Sequence, residues 1–209
     1  MAVDAYERLE SMIILDKLQP GVRLSEKALS QNLGLGRTPI REALQKLREH
    51  QLVEIIPRLG VFVTKLDFRD QLLVLEVRRD LEATLVRRTN RLASPPERAS
   101  FREMAATIRG AVSRGDKRLL MKVDRRYKDL CLEIAANRFL EAALAPIHAH
   151  SRRFFFTHIA TTSMRIGEAH AAIMDAIGRG DGDGALRANQ TFLDAIEEFT
   201  RAALAAEIV

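Results

Sequence analysis

Four polar side chains between residues 37 and 48 are spaced to act on a polyanion. Arg37, Arg41, Gln45 and Arg48 recur every three or four residues in the run GRTPIREALQKLR, so a helix there carries them along one side. Ile40, Ala43, Leu44 and Leu47 recur at the same spacing and form the stripe that such a helix would bury. Arginines near a helix N-terminus reach guanine edges bidentately or clamp phosphates, and the terminus itself favours a phosphate. Thr38 offers a capping hydroxyl and Pro39 suits the first helical position, so the helix is expected to begin at Thr38. An ordinary amphipathic helix with a solvated charged face has the same pattern. The elements on either side decide between the two.

Composition bounds those elements. With 209 residues and 47% apolar content, the chain can form one or two globular domains with real cores. A net charge of +5, from 33 basic and 28 acidic residues, suits a polyanionic partner without supplying a long basic tract. Cys131 is the single cysteine, which excludes an intramolecular disulfide and a thiolate metal cluster. Neither a cationic and apolar leader nor a membrane-length apolar run is read, so a cytoplasmic location with no membrane partner is expected. Aromatics at 5% and no Trp favour a helical protein.

Taken in order, a first helix is expected at about Val3 to Ile14, with Tyr6, Leu9, Ile13 and Ile14 as its apolar stripe. Gln19-Pro20-Gly21 turns the chain, and Val22 to Leu24 is extended. Ser25 caps a second helix running to Leu33, with Glu26 in its first turn. Gly34-Leu35-Gly36 is a tight connection into the arginine-bearing helix, which ends near His50 or Gln51. Leu52 to Ile56 and Val61 to Thr64 flank Pro57-Arg58-Leu59-Gly60 as a hairpin. Three short helices and a hairpin make a winged helix-turn-helix, whose last helix enters the major groove.

From Leu66 onward the pattern is helical. Asp67 caps a helix to about Leu92, and Ser94-Pro95-Pro96-Glu97 is a capping box opening one to about Arg114. Further helices are expected over Lys117 to Ala136, Phe139 to His158, Thr162 to Ile177 and Ala185 to Glu207, the last two separated by the glycine-rich run from Gly178 to Gly184. The expected architecture is mostly α, with a winged helix-turn-helix over 1–66 and an all-α bundle of about six helices over 67–209.

The run LSEKALSQNLGLGRTPIREALQKLREHQLVEIIPRLGVFV resembles the DNA-binding domain of GntR-type bacterial transcription regulators. That resemblance implies DNA contacts from Lys27, Arg37, Thr38 and Arg41, a matching family position at Arg48, and a wing tip at Arg58 and Gly60. Gln51 stands where the family usually has Gly. Residues 68–205 resemble the FCD effector domain of the FadR subfamily, through Val77-Arg78-Arg79-Asp80-Leu81-Glu82, Asp124 and Tyr127, Ala135-Ala136-Asn137, and Glu168-Ala169-His170 with Ile173. Many such domains hold a divalent metal with one Asp and three His. Asp124 and His170 match two of those ligands, while Lys128 and Phe192 occupy the other two positions. A cation and a ring without a lone pair cannot ligate, so no metal or other cofactor is expected, and Asp124 and His170 remain as residual ligand candidates.

Within the bundle, Asp124 and Lys128 can pair inside a cavity or form a helix-edge salt bridge, and His170 can equally be an ordinary core histidine. Arg78 matches a family arginine that often grips an effector carboxylate, with Glu82 one turn away as its alternative partner. Arg152, Arg153, Arg165 and Asn189 are further polar candidates, and Tyr127, Phe155 and Phe192 would favour a flat or aromatic ligand. The expected protein is a homodimeric, ligand-responsive repressor. It binds a near-palindromic double-stranded DNA operator and a small carboxylate effector, and it is not an enzyme. Two alternatives stand beside it: a metal-dependent regulator with ligands rearranged onto His148, His150 or His158, and a helical-bundle metalloenzyme fused to a DNA-binding domain. The enzyme is disfavoured because Glu168-Ala169-His170 lacks Glu-x-x-His spacing and no nucleophile elbow or phosphate loop occurs.

Overall fold

In the first helix, α1 (Ala2–Ile14), Ala5, Leu9 and Ile13 are fully buried, at the helical spacing expected of one packed face. The computed structural model describes residues 1–159 and 164–207. After α1 come β1 (Arg23–Leu24), α2 (Glu26–Leu33), α3 (Arg37–Glu49), β2 (Val53–Ile56) and β3 (Gly60–Val63). The three strands form an antiparallel sheet in the order β1-β3-β2, with Arg23 opposite Phe62 and Ile56 opposite Gly60.

Local chemistry accounts for the boundaries. Ser25 caps α2 by accepting a hydrogen bond from the Ala28 amide at 3.4 Å. Gly34 ends α2 at φ 65°, the left-handed conformation that a residue without Cβ adopts most cheaply. Helix α3 begins one residue earlier than Thr38: Gly36 is its N-cap, without a side-chain cap, and Arg37, Thr38 and Pro39 fill the first three positions. Proline is tolerated at the third position because that N–H has no intrahelical acceptor in any case. Ile40, Ala43, Leu44 and Leu47 are buried, each at 2% exposure or less, and they share a core with Leu9, Ile13, Leu29, Leu52, Val53 and Val63.

The remaining helices are α4 (Phe68–Leu92), α5 (Pro95–Arg114), α6 (Lys117–Ala135), α7 (Arg138–Phe154), α8 (Met164–Arg179) and α9 (Gly182–Glu207), with a π-helical turn over Phe155–Ile159. The capping box at the start of α5 forms through Ser94 and Glu97. The break between α8 and α9 is narrower than the glycine-rich run suggests. Gly178 is buried inside α8, and Asp181 accepts from the Gly184 amide at 2.8 Å, which starts α9 three residues before Ala185. Thr162, the expected start of α8, lies outside the described residues. Among the described residues, no helix is long and apolar enough to cross a membrane.

Two compact units result. One comprises Met1–Asp67 together with Ala145–Thr157, and the other comprises Phe68–Leu144 and His158–Val209. The second half of α7 thus joins the winged-helix core, where Ala149 packs and where Arg152 and Arg153 find their partners. In the second unit α5 packs on α8, and α9 packs on both α4 and α8. A Cβ on Gly167 would lie 2.5 Å from Val112 Cγ2, so the α5–α8 approach requires a glycine there.

Candidate nucleic-acid interface and bundle interior

Helix α3 presents Arg37, Thr38, Arg41 and Arg48 to solvent while its opposite face is packed. Among the described residues, Arg41 is the one member of this group held by an acid. Its Nε donates to Glu26 Oε1 at 3.3 Å and its Nη2 to Oε2 at 2.9 Å, and this hydrogen bonding raises the guanidinium above its already high ordinary value. The exposed pair adds little stability, but its two-point geometry fixes the direction of the Arg41 fork.

The wing supports a second set of cations. Ile56, Pro57, Arg58 and Leu59 form a tight turn closed by a 3.1 Å bond from the Leu59 amide to the Ile56 carbonyl. Arg58 sits at φ 64°, in the position where a type II turn favours Gly. Gly60 follows at φ 116°, a conformation that only glycine adopts readily. Gln51, at φ 59°, occupies the same kind of backbone position between α3 and β2, one that glycine would fill with less strain. Arg23 was not singled out by the sequence, because a two-residue strand carries no pattern; the structure lays it against Gly60. A groove of about 680 Å³ is lined by Arg23, Leu24, Ser25, Glu26, Lys27, Arg37, Gly60 and Val61.

Inside the second unit, α4, α6, α8 and α9 bring together most of the residues that the sequence nominated. Arg78 is 3% exposed and donates from Nε to Glu82 Oε1 at 2.8 Å. Lys128 Nζ reaches the same oxygen at 3.2 Å, so two buried cations converge on one carboxylate. One partner of Lys128 is thus on α4, a partner that spacing along α6 could not reveal. The Arg78 guanidinium stands 5.5 Å over the Phe192 ring, which stacks on His170 with centroids 4.7 Å apart. Tyr127 also meets His170 edge-on, with centroids 5.2 Å apart. Burial, which outweighs the nearby Asp124 charge, pushes the His170 pKa down to about 4, so this imidazole is neutral at pH 7. Its Nε2 lies 3.8 Å from Asp124 Oδ1, too far for a hydrogen bond, and neither it nor buried Asn189 Oδ1 has a hydrogen-bond partner among the described residues.

The other arginine candidates lie elsewhere. Arg152 pairs with buried Glu10 of α1 at 3.1 Å, and Tyr6 Oη donates to the same Glu10 oxygen at 3.0 Å. Arg153 donates to the Thr64 carbonyl at 2.7 Å and to its hydroxyl at 2.8 Å. Both contacts are within the first unit. Arg165 forms an exposed pair with Glu198, and Phe155 stacks edge-on with Phe156. Among the described residues, no group of three His, Cys, Asp or Glu side chains could hold a metal ion. Asp124 and His170 supply two donors, beside a lysine cation and a stacked phenyl ring. That set does not fit the one-carboxylate, three-imidazole site.

Against known proteins, residues 1–63 match the bacterial regulatory proteins of the gntR family, and residues 73–195 match the FCD domain. The chain is 26% identical over 199 residues to the HTH-type transcriptional repressor RspR of Escherichia coli, covering 94% of this chain and 87% of that protein. It is 25% identical over 209 residues to the E. coli regulator YieP, covering 90% of each. The solved structure of E. coli McbR/YncC superposes with a TM-score of 0.79 at 19% identity over 97% of this chain and 98% of that one, which shows the shared fold. The chain belongs to the GntR family of transcription regulators and carries an FCD effector domain.

Proposed function

We propose that this regulator is a homodimeric, cytoplasmic, non-catalytic repressor that binds a near-palindromic DNA operator and answers to a small carboxylate, with an aromatic or flat body, without a metal. The observation that carries the effector class is Arg78. It is buried and committed to Glu82 through Nε, and its two Nη groups have no acceptor among the described residues, which leaves the fork that a carboxylate fits. Phe192, Tyr127 and His170 supply flat apolar faces beside it. Asn189 Oδ1, buried and without a hydrogen-bond partner among the described residues, offers an acceptor for a ligand hydroxyl or amide.

Exposed Arg37, Thr38, Arg41, Arg48, Lys27 and Arg58, with half-buried Gly60 at the wing, form the operator-reading set. Exposed Leu73 and Val77, one turn apart on α4, suit a contact with a second copy, and two-fold pairing would present two recognition helices to one operator. The name of RspR and its near full-length match support repression.

A thermal-shift screen of aromatic and aliphatic carboxylates against the metal-stripped protein tests the effector class. At least one acid should raise the melting temperature and alter binding to a duplex selected from a randomised pool, and Arg78→Ala should remove both responses. A response that requires added Zn²⁺ and is cancelled by EDTA would instead establish the metal-dependent alternative. Light scattering of the purified protein tests the dimer.

A further inference from the structure

We infer that the groove between the wing and α2 seats one backbone phosphate of the DNA, and that Arg23 is the residue that anchors this phosphate from the wing side. This rests on the DNA-reading assignment above and adds a contact which that assignment lacks. Three of the groove's lining residues, Arg23, Lys27 and Arg37, are cations, each exposed and none with an ion-pair partner among the described residues. The one acid in the groove, Glu26, is neutralised by Arg41. The groove is therefore locally cationic, and a phosphate relieves the mutual repulsion of its walls.

Arg23 is placed there by the sheet. Pairing with Phe62 of β3 holds its backbone beside the wing, buried Leu24 pins the alternate face of β1, and the Arg23 side chain points the other way. Its guanidinium lies along Gly60: a Cβ at that glycine would come within 3.1 Å of Arg23 Nε. Gly60 thus serves both the wing's backbone turn and the path of Arg23. Arg37 is the first residue of α3, so a phosphate bridging Arg23 and Arg37 would tie the wing to the start of the recognition helix and fix the register of both on the duplex. A contact of this kind carries no base information.

The test is a fluorescence-anisotropy titration of a labelled, random-sequence duplex of about 30 base pairs, across about 50–300 mM NaCl, with full-length wild type, R23A, R23K and R41A. R23A should bind roughly fivefold more weakly at about 100 mM salt, with its log–log salt slope smaller by about one per subunit, and R23K should keep the wild-type slope. Sequence preference, read by selection from a randomised pool, should be unchanged in R23A and lost in R41A. An R23A slope equal to that of wild type, or a changed sequence preference, overturns the phosphate seat while leaving the DNA-reading assignment intact. Equal binding by wild type, R23A and R41A would overturn both. Inorganic phosphate at about 10 mM should compete no better than NaCl at matched ionic strength; stronger competition would make the groove a free-anion site and overturn the DNA source. Thermal melts of R23A should match wild type, as expected for an exposed side chain.

Discussion

Around the recognition helix, Arg23, Lys27, Arg37 and Arg58 are exposed and have no ion-pair partner among the described residues, whereas in the bundle Arg78 and Lys128 are buried and converge on one oxygen of Glu82. The contrast follows from hydration. An exposed cation keeps its water and counterions until a phosphate displaces them, so leaving it unpaired costs the fold nothing. A buried cation has lost its water and must be held by an anion, so the same residue type becomes part of the core's stability. Arg41 lies between the two cases: it is exposed like the first group, yet aimed by Glu26 through two hydrogen bonds.

Removing the shared anion should have the largest effect. Glu82→Ala removes the buried carboxylate that Arg78 and Lys128 both reach and should lower stability by about 3–5 kcal/mol, read by urea or thermal unfolding. A loss below about 1 kcal/mol would mean that the bundle interior is wetter than its burial indicates. On the exposed side, Arg37→Ala should change stability by no more than about 0.5 kcal/mol and yet weaken operator binding about tenfold or more, by anisotropy.

A pH titration of stability sharpens the same contrast. His170 is neutral in the fold, with a pKa near 4, and takes its ordinary value near 6.5 when unfolded. As the pH falls below about 6.5 the unfolded chain binds the proton first, so stability declines until the pH passes about 4, by about 3 kcal/mol. In His170→Phe that contribution should vanish from the unfolding curve.

The smallest effects come from two left-handed residues. Gln51→Gly and Arg58→Gly should each stabilise the winged-helix unit by about 0.5–1 kcal/mol, since each relieves a positive φ. Only Arg58→Gly should weaken DNA binding; equal DNA affinities for the two variants would remove Arg58 from the reading surface.

Local spacing made much of this legible. The buried stripe of α3, the Ser25 cap and the Ser94–Glu97 box each involve residues three or four apart, and a helix brings such residues together whatever else the chain does. The departure at Gln51 was visible as well, and its φ supplies the cause. The start of α3 lies one residue before the position the sequence favours, because Thr38 and Pro39 suit several positions in a first turn and only the backbone shows that Gly36 is the cap.

The sequence by itself determined the two kinds of structure and the cationic face of α3, because each is a matter of residue type at short spacing. That Lys128 and Phe192 stand at two family metal-ligand positions is what the resemblance implies, since those positions are far apart in the chain. Tertiary structure decided the partners. Lys128 meets Glu82 from 46 positions away, and Arg152 meets Glu10 from 142 away. Arg23 comes to lie on Gly60 only once β1 has paired with β3. An ion pair or a groove wall depends on which surfaces the fold brings together, and chain spacing does not encode that for side chains this far apart.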